Sequence, residues 1–141
     1  MGTIYKEFVV NADPEFVWEA ICDVGALHRR LARGFVADTQ LSGGIRTITF
    51  NDGYVAREQL VSVDGDRRRL VCSAIGGRAS HHNSAFQVLE GFDGNARVIW
   101  TTDVLPNEVM PVFEQMADAA ARAMKLTLEK SYTSIEKLEA F

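Results

Sequence analysis

Apolar positions in the last third of the chain recur at helical spacing. From about Asn107 to Ala140, one face carries Val109, Phe113, Met116, Ala120, Met124, Thr127, Ser131, Ile135 and Leu138, while Glu114, Asp118, Arg122, Lys125, Glu129 and Glu136 line the other. The pattern predicts one amphipathic helix, roughly 45 Å long at 1.5 Å per residue, which needs a broad apolar surface to lie on. The middle of its apolar face is small: Ala117, Ala120, Ala123 and Thr127. Small residues either bring a helix close to its partner or leave space beneath it, and alanine also simply propagates a helix.

The remaining pattern is mostly of period two. Thr3 to Val10 alternates as a strand and stops at Asn11-Ala12-Asp13-Pro14, where Asp13 can cap a short helix that begins on Pro14. Ala26 to Ala32 reads as a second brief helical piece before Gly34. Six strand-like runs follow: Val36 to Leu41, Ile45 to Phe50, Tyr54 to Val63, Arg69 to Ile75, His82 to Leu89 and Arg97 to Val104. Glycine-rich breaks such as Ser42-Gly43-Gly44 and Asn51-Asp52-Gly53 separate them, which implies an antiparallel meander. The expectation is one α+β domain over residues 1–141, with a curved sheet of about seven strands and the long helix over its concave face.

Composition narrows the partners. With 141 residues, 47% hydrophobic and 24% charged, the chain can bury a real core. Its net charge of −4 speaks against a nucleic-acid surface, and the run Arg67-Arg68-Arg69 follows a turn, as solvated hairpin ends do. No apolar run is long enough to span a bilayer and no secretory leader is evident, so a cytoplasmic protein without stable membrane insertion is expected, as monomer or homodimer. Cys22 and Cys72 sit on different elements without metal-ligand spacing, so reduced thiols and no metal are expected. The glycine pairs lack the strand-to-helix context of a phosphate loop, and no cofactor is expected.

The order of strand, paired short helices, antiparallel sheet and closing helix resembles the helix-grip fold of the START and birch-pollen-allergen superfamily (SRPBCC). More closely it resembles that superfamily's polyketide cyclase/dehydrase and lipid-transport branch. The residues that carry the likeness are Asn11 through Trp18, Asp23, Arg57-Glu58-Gln59-Leu60, Asp64, Arg68 and Pro106. Arg57 through Ser84 is also similar to the plant abscisic-acid receptors, in which the loop after the paired glycines latches over the ligand; Arg78 to His82 would correspond here. Their Ser-Gly-Leu-Pro-Ala gate loop is replaced by Asn51-Asp52-Gly53, and no lysine follows Phe35 where their carboxylate-binding lysine falls. Abscisic acid is therefore not the expected ligand. The resemblance implies a hydrophobic cavity without specifying a chemistry.

Strand parity selects the candidate lining: Ala56 and Glu58, then Cys72 and Ala74, then His82, Ser84 and Phe86, then Trp100, with Met116, Ala120, Met124 and Thr127 from the helix. An inward carboxylate is costly unless paired or protonated, so Glu58 either meets a polar group of a ligand, acts as a general acid or base, or pairs at the sheet surface with Arg57, Arg69 or Arg97. His82 is the second candidate for proton transfer. His81 and His82 point to opposite faces of a strand and cannot chelate one metal. Ser84, Cys72 and Thr127 lack a nucleophile motif and read as polar lining, whereas Phe86 and Trp100 are core aromatics that could stack on a ring-shaped ligand. Three functions follow: binding of a hydrophobic or aromatic small molecule (lipid, polyketide or isoprenoid-like), a cyclase or dehydratase using the same cavity, or an interaction module with a filled core.

Overall fold

A computed structural model describes residues 2–139. Strand β1 (Gly2–Val10) leads into helix α1 (Pro14–Cys22), whose entry is set as the sequence implied: the Asp13 carboxylate accepts a hydrogen bond from Glu15 N at 2.8 Å, and proline occupies the first turn. The second helical piece is irregular, a 3₁₀ turn at Val24–Ala26 running into a π-type turn at Leu27–Leu31. Six strands follow: β2 (Val36–Ser42), β3 (Ile45–Phe50), β4 (Val55–Asp64), β5 (Arg69–Ala74), β6 (His81–Glu90) and β7 (Ala96–Leu105). The chain closes with a 3₁₀ turn, Asn107–Val109, and helix α2 (Met110–Glu139). Ala140, where the sequence pattern ended the helix, lies outside the described residues.

The seven strands form one antiparallel sheet in the order β1-β7-β6-β5-β4-β3-β2. Consecutive strands from β2 to β7 pair, through short turns or, between β5 and β6, through the loop over residues 75–80; Gly43 and Gly44, at φ 58° and 76°, supply the two left-handed residues that a two-residue hairpin requires. The exception is β1, which pairs with β7 in unbroken register from Gly2 opposite Val104 to Val10 opposite Ala96. A helix-grip α+β architecture results.

Helix α2 does not lie centrally over the sheet. It comes close to β1 at one edge and to the Leu27–Leu31 turn. Its flank is consequently less solvated than the sequence pattern implied. Lys6 of β1 pairs with Asp118 at 2.6 Å and Glu114 at 3.7 Å, Lys125 donates to Val9 O, and Glu129 accepts from Asn11 N at 2.8 Å. The apolar stripe is also shifted. Leu128, absent from the sequence-derived face, is fully buried, whereas Ile135 and Leu138 are exposed. The cause is length: the 30 residues of α2 span about 45 Å, while the nine residues of β1, along which it lies, span roughly 30 Å, so the last turns overhang. No helix among the described residues is long and apolar enough to cross a membrane.

Candidate functional site

With α2 held along one edge, the concave faces of β3 to β5 are left facing space. That space is a cavity of about 260 Å³, walled on the sheet side by residues such as Ile48, Leu70, Cys72 and Phe86 and on the helix side by Met116, Ala117, Ala120 and Met124. Ala117 and Ala120 show what the small residues of α2 do: they are buried and end short, which leaves the volume open. Of the sequence-derived candidates, Ala56, Glu58, Cys72, Ala74, His82, Ser84, Phe86, Trp100, Met116, Ala120 and Met124 lie on the wall.

Thr127 does not. Its hydroxyl donates to Ala123 O at 2.7 Å and accepts from Arg33 N at 3.1 Å, so it ties the helix to the chain leaving the π-type turn. The helical repeat carries that side chain past the end of the cavity, and its polar atoms are used within the core.

Glu58 points inward, and its partner is Arg46, not Arg57, Arg69 or Arg97. Arg46 stands directly opposite Glu58 in the β3–β4 ladder. Its Nη2 lies 2.8 Å and its Nε 3.2 Å from the same carboxylate oxygen, Oε1, with weaker reaches from Nη1 to Val24 O at 3.4 Å and from Nη2 to Cys72 Sγ at 3.8 Å. Both side chains are largely buried, 5% and 16% exposed, so each charge relies on the other. Because both nitrogens converge on Oε1, no hydrogen bond among the described residues reaches Oε2. Glu58 thus keeps one acceptor at the cavity. Alternation along β3 puts Arg46 on the same face as buried Ile48, a signal that sequence reasoning could have used.

His82 sits edge-on to Phe113 of α2, with ring centroids 4.9 Å apart. Burial holds its imidazole below the usual histidine range, opposed in part by the nearby Glu58 charge and reinforced by His81. An unfolded histidine titrates near pH 6.5. Below that value the unfolded chain binds a proton that folded His82 does not, so stability should be flat above about pH 6.5 and fall as pH drops below it. The expected slope is at most about 1.4 kcal/mol per pH unit. Urea unfolding between pH 5.5 and 7.5 measures it, and His82→Gln should flatten that limb.

The remaining polar wall groups are mostly self-satisfied. The Ser84 and Thr102 hydroxyls, opposite each other across β6 and β7, lie 3.0 Å apart. Burial and the Glu58 charge push the Cys72 thiol up to about 11, with Arg46 opposing, which leaves it protonated and a poor nucleophile at neutral pH. Phe86 and Trp100 stack on each other at 4.8 Å, so each ring already gives one face to its neighbour. At the rim, the Arg78 guanidinium lies 5.5 Å over the Tyr54 ring, beside the Gly76-Gly77 turn. Among the described residues no group of three or more His, Cys, Asp or Glu side chains is placed to hold a metal ion.

Comparison with known proteins places this geometry. Residues 1–138 match the family model described as polyketide cyclase / dehydrase and lipid transport. No curated protein matches the sequence. Among solved structures, the protein XoxI from Bacillus cereus is similar at a TM-score of 0.82 and 21% identity, covering 96% of this chain and 99% of that one. A protein from Thermobifida fusca gives 0.79 and 24%, covering 96% of both. Norcoclaurine synthase from Thalictrum flavum, solved as a point mutant in complex with a transition-state analogue, gives 0.68 and 21%, covering 92% of this chain and 96% of that one. At these identities the likeness is one of fold.

Proposed function

Since the chain belongs to the polyketide cyclase/dehydrase and lipid-transport family, we propose that it binds a hydrophobic or aromatic small molecule bearing a polar group, enclosed between the sheet and α2. The observation that carries this reading is an apolar cavity with one buried charge pair on its wall, from which Glu58 Oε2 is left unshared. Affinity would come mainly from apolar burial, at about 25 cal/mol per Å² removed from water. Orientation would come from Glu58 and His82, because an acceptor that the ligand seals off from water must be met by the ligand or left unpaired.

A second reading rests on His82 and Glu58 lining the same cavity. A histidine kept neutral by burial is suited to proton transfer, and the fold houses a synthase among its solved examples. Glu58→Gln separates the two. A carrier should keep binding within about tenfold, the range of one hydrogen bond, while an enzyme should bind its substrate and lose turnover.

Native mass spectrometry of protein purified from its source cells tests the binding reading directly. A stoichiometric hydrophobic compound released on denaturation is the expected result. Protein that arrives empty, and whose melting temperature is unmoved by a panel of lipids, polyketides and isoprenoids, would overturn it.

A further inference from the structure

The polar side-chain atoms without a partner around the cavity are of two kinds. Trp100 Nε1 is fully enclosed and closed to any ligand, and among the described residues it is the only such atom. The second oxygen of Glu58 and both ring nitrogens of His82 also make no hydrogen bond among the described residues, yet each keeps some accessible surface. Both side chains stand on inner strands of the sheet and line its concave side, so that surface opens onto the cavity or its mouth.

These two groups share one row across the sheet. Arg46 is opposite Glu58, and Glu58 is opposite Ala74. The β5–β6 register, with Ser73 opposite Asn83, sets Ala74 beside His82 one place on, and Val104 stands opposite His82. The row therefore reads guanidinium, carboxylate, methyl, imidazole, isopropyl. Glu58 and His82 are two strands apart, about 10 Å from backbone to backbone, and no hydrogen bond joins them. Their outer sides are occupied: Arg46 holds Oε1 of Glu58, while His82 lies between fully buried Val104 and the ring of Phe113. Between them the sheet places only the methyl group of Ala74. A larger side chain would fill that gap, whereas alanine leaves a notch with a carboxylate on one side and an imidazole on the other.

We propose that Ala74 is a specificity-determining residue: the notch it leaves seats a hydroxyl group of the ligand, which donates to Glu58 Oε2 and accepts from a His82 ring N–H. This rests on the reading of the cavity as a ligand site and names the class it selects. A hydroxyl donates and accepts through one oxygen, whereas an ether only accepts and a carboxylate brings a second negative charge to Glu58. Burial, opposed by the Glu58 charge, keeps His82 neutral, which leaves its ring one N–H to give. Size narrows the class further. An apolar cavity of about 150 Å³ takes one benzene, so the 260 Å³ here suits two fused rings. The ligand is then a phenol or enol of that size, with its rings against the apolar walls and its oxygen over Ala74.

The test uses the full chain and four probes: naphthalene, 2-naphthol, 2-methoxynaphthalene and 2-naphthoate, titrated calorimetrically at neutral pH. Naphthol should bind about 5- to 30-fold more tightly than naphthalene or methoxynaphthalene, and naphthoate more weakly than naphthalene. In Ala74→Val, whose branched side chain suits a strand and fills the notch, the advantage of naphthol over naphthalene should shrink below about twofold. In the ¹⁵N-labelled parent, naphthol should shift the ring-nitrogen resonances of His82 and naphthalene should not. His28, whose Nδ1 lies 3.0 Å from Thr39 Oγ1 and which does not line the cavity, supplies the reference signal.

Naphthol and naphthalene bound equally would overturn the hydroxyl assignment and leave the cavity standing as a ligand site. Tightest binding of naphthoate would do the same, because Arg46 and not Glu58 would then meet the ligand, as would a naphthol advantage that survives in folded Ala74→Val. If none of the four binds, the ligand-site reading fails and the hydroxyl assignment with it. The affinity ratios and the His82 resonances need no variant, so a poorly folding Ala74→Val leaves the test intact.

Discussion

Arg46→Met should lower the melting temperature by about 10–20 °C, and adding Glu58→Met should recover most of the loss. Replacing the guanidinium alone leaves the Glu58 carboxylate facing a thiol and hydrocarbon, and breaking a largely buried pair costs about 3–5 kcal/mol. For a chain of 141 residues each kcal/mol moves the midpoint by roughly 3–5 °C. With both charges gone, two flexible apolar side chains occupy similar volume and neither desolvation cost remains. The double variant should nevertheless lose its preference for hydroxyl-bearing ligands, since the acceptor is gone with the charge. Circular dichroism melts of the four proteins measure the coupling, and a single variant as stable as the parent would mean that the pair is solvated.

Ala120→Phe should abolish binding, by about 100-fold or more, without unfolding the protein. Ala120 is buried on α2 and borders the cavity, so a phenyl group there has room to enter a space that already exists. Overpacking a filled core costs about 1–3 kcal/mol, whereas filling a void removes a destabilising feature, so the melt should hold or rise while ligand is displaced. Leu128→Ala is the converse control. Leu128 is fully buried on the same helix but does not line the cavity, so its loss should cost about 2–5 kcal/mol and leave the ligand's contacts in place. Isothermal titration beside thermal melts separates the two outcomes. Equal losses of binding and stability in both variants would show that α2 acts only as a structural lid.

Element order and face assignment were legible because each rests on local chemistry. Asp13-Pro14 starts α1, paired glycines turn β2 into β3, and alternation places Glu58, His82 and Ser84 on one side of their strands. What the sequence withheld depends on register and on where α2 lies. Arg46 and Glu58 meet because the Asn51-Asp52-Gly53 turn sets β3 against β4 with these two residues opposite, and a shift of one place would have set Arg57 there instead. Helical periodicity gives α2 a face but not an end, so it sets Thr127 on the cavity wall and Ile135 and Leu138 on the covered face. Leu128 was missed because α2 sits on the sheet edge, which widens the buried arc toward β1. No sequence pattern could show the lone Trp100 N–H, because being unpartnered is a property of everything around it.

The pairing of β1 with β7 also bears on how the protein is made. Partners in that ladder are 86 to 102 residues apart, from Val10 with Ala96 to Gly2 with Val104. At translation rates of 5–20 residues per second, β1 leaves the ribosome roughly 5–20 seconds before the strand it pairs with exists. During that interval Ile4, Phe8 and Val10 have neither neighbour nor helix above them, and the five-turn meander from β2 onward can form without them. The first strand synthesised is therefore the last to be placed, and the period of greatest risk for this protein comes before α2 has been translated.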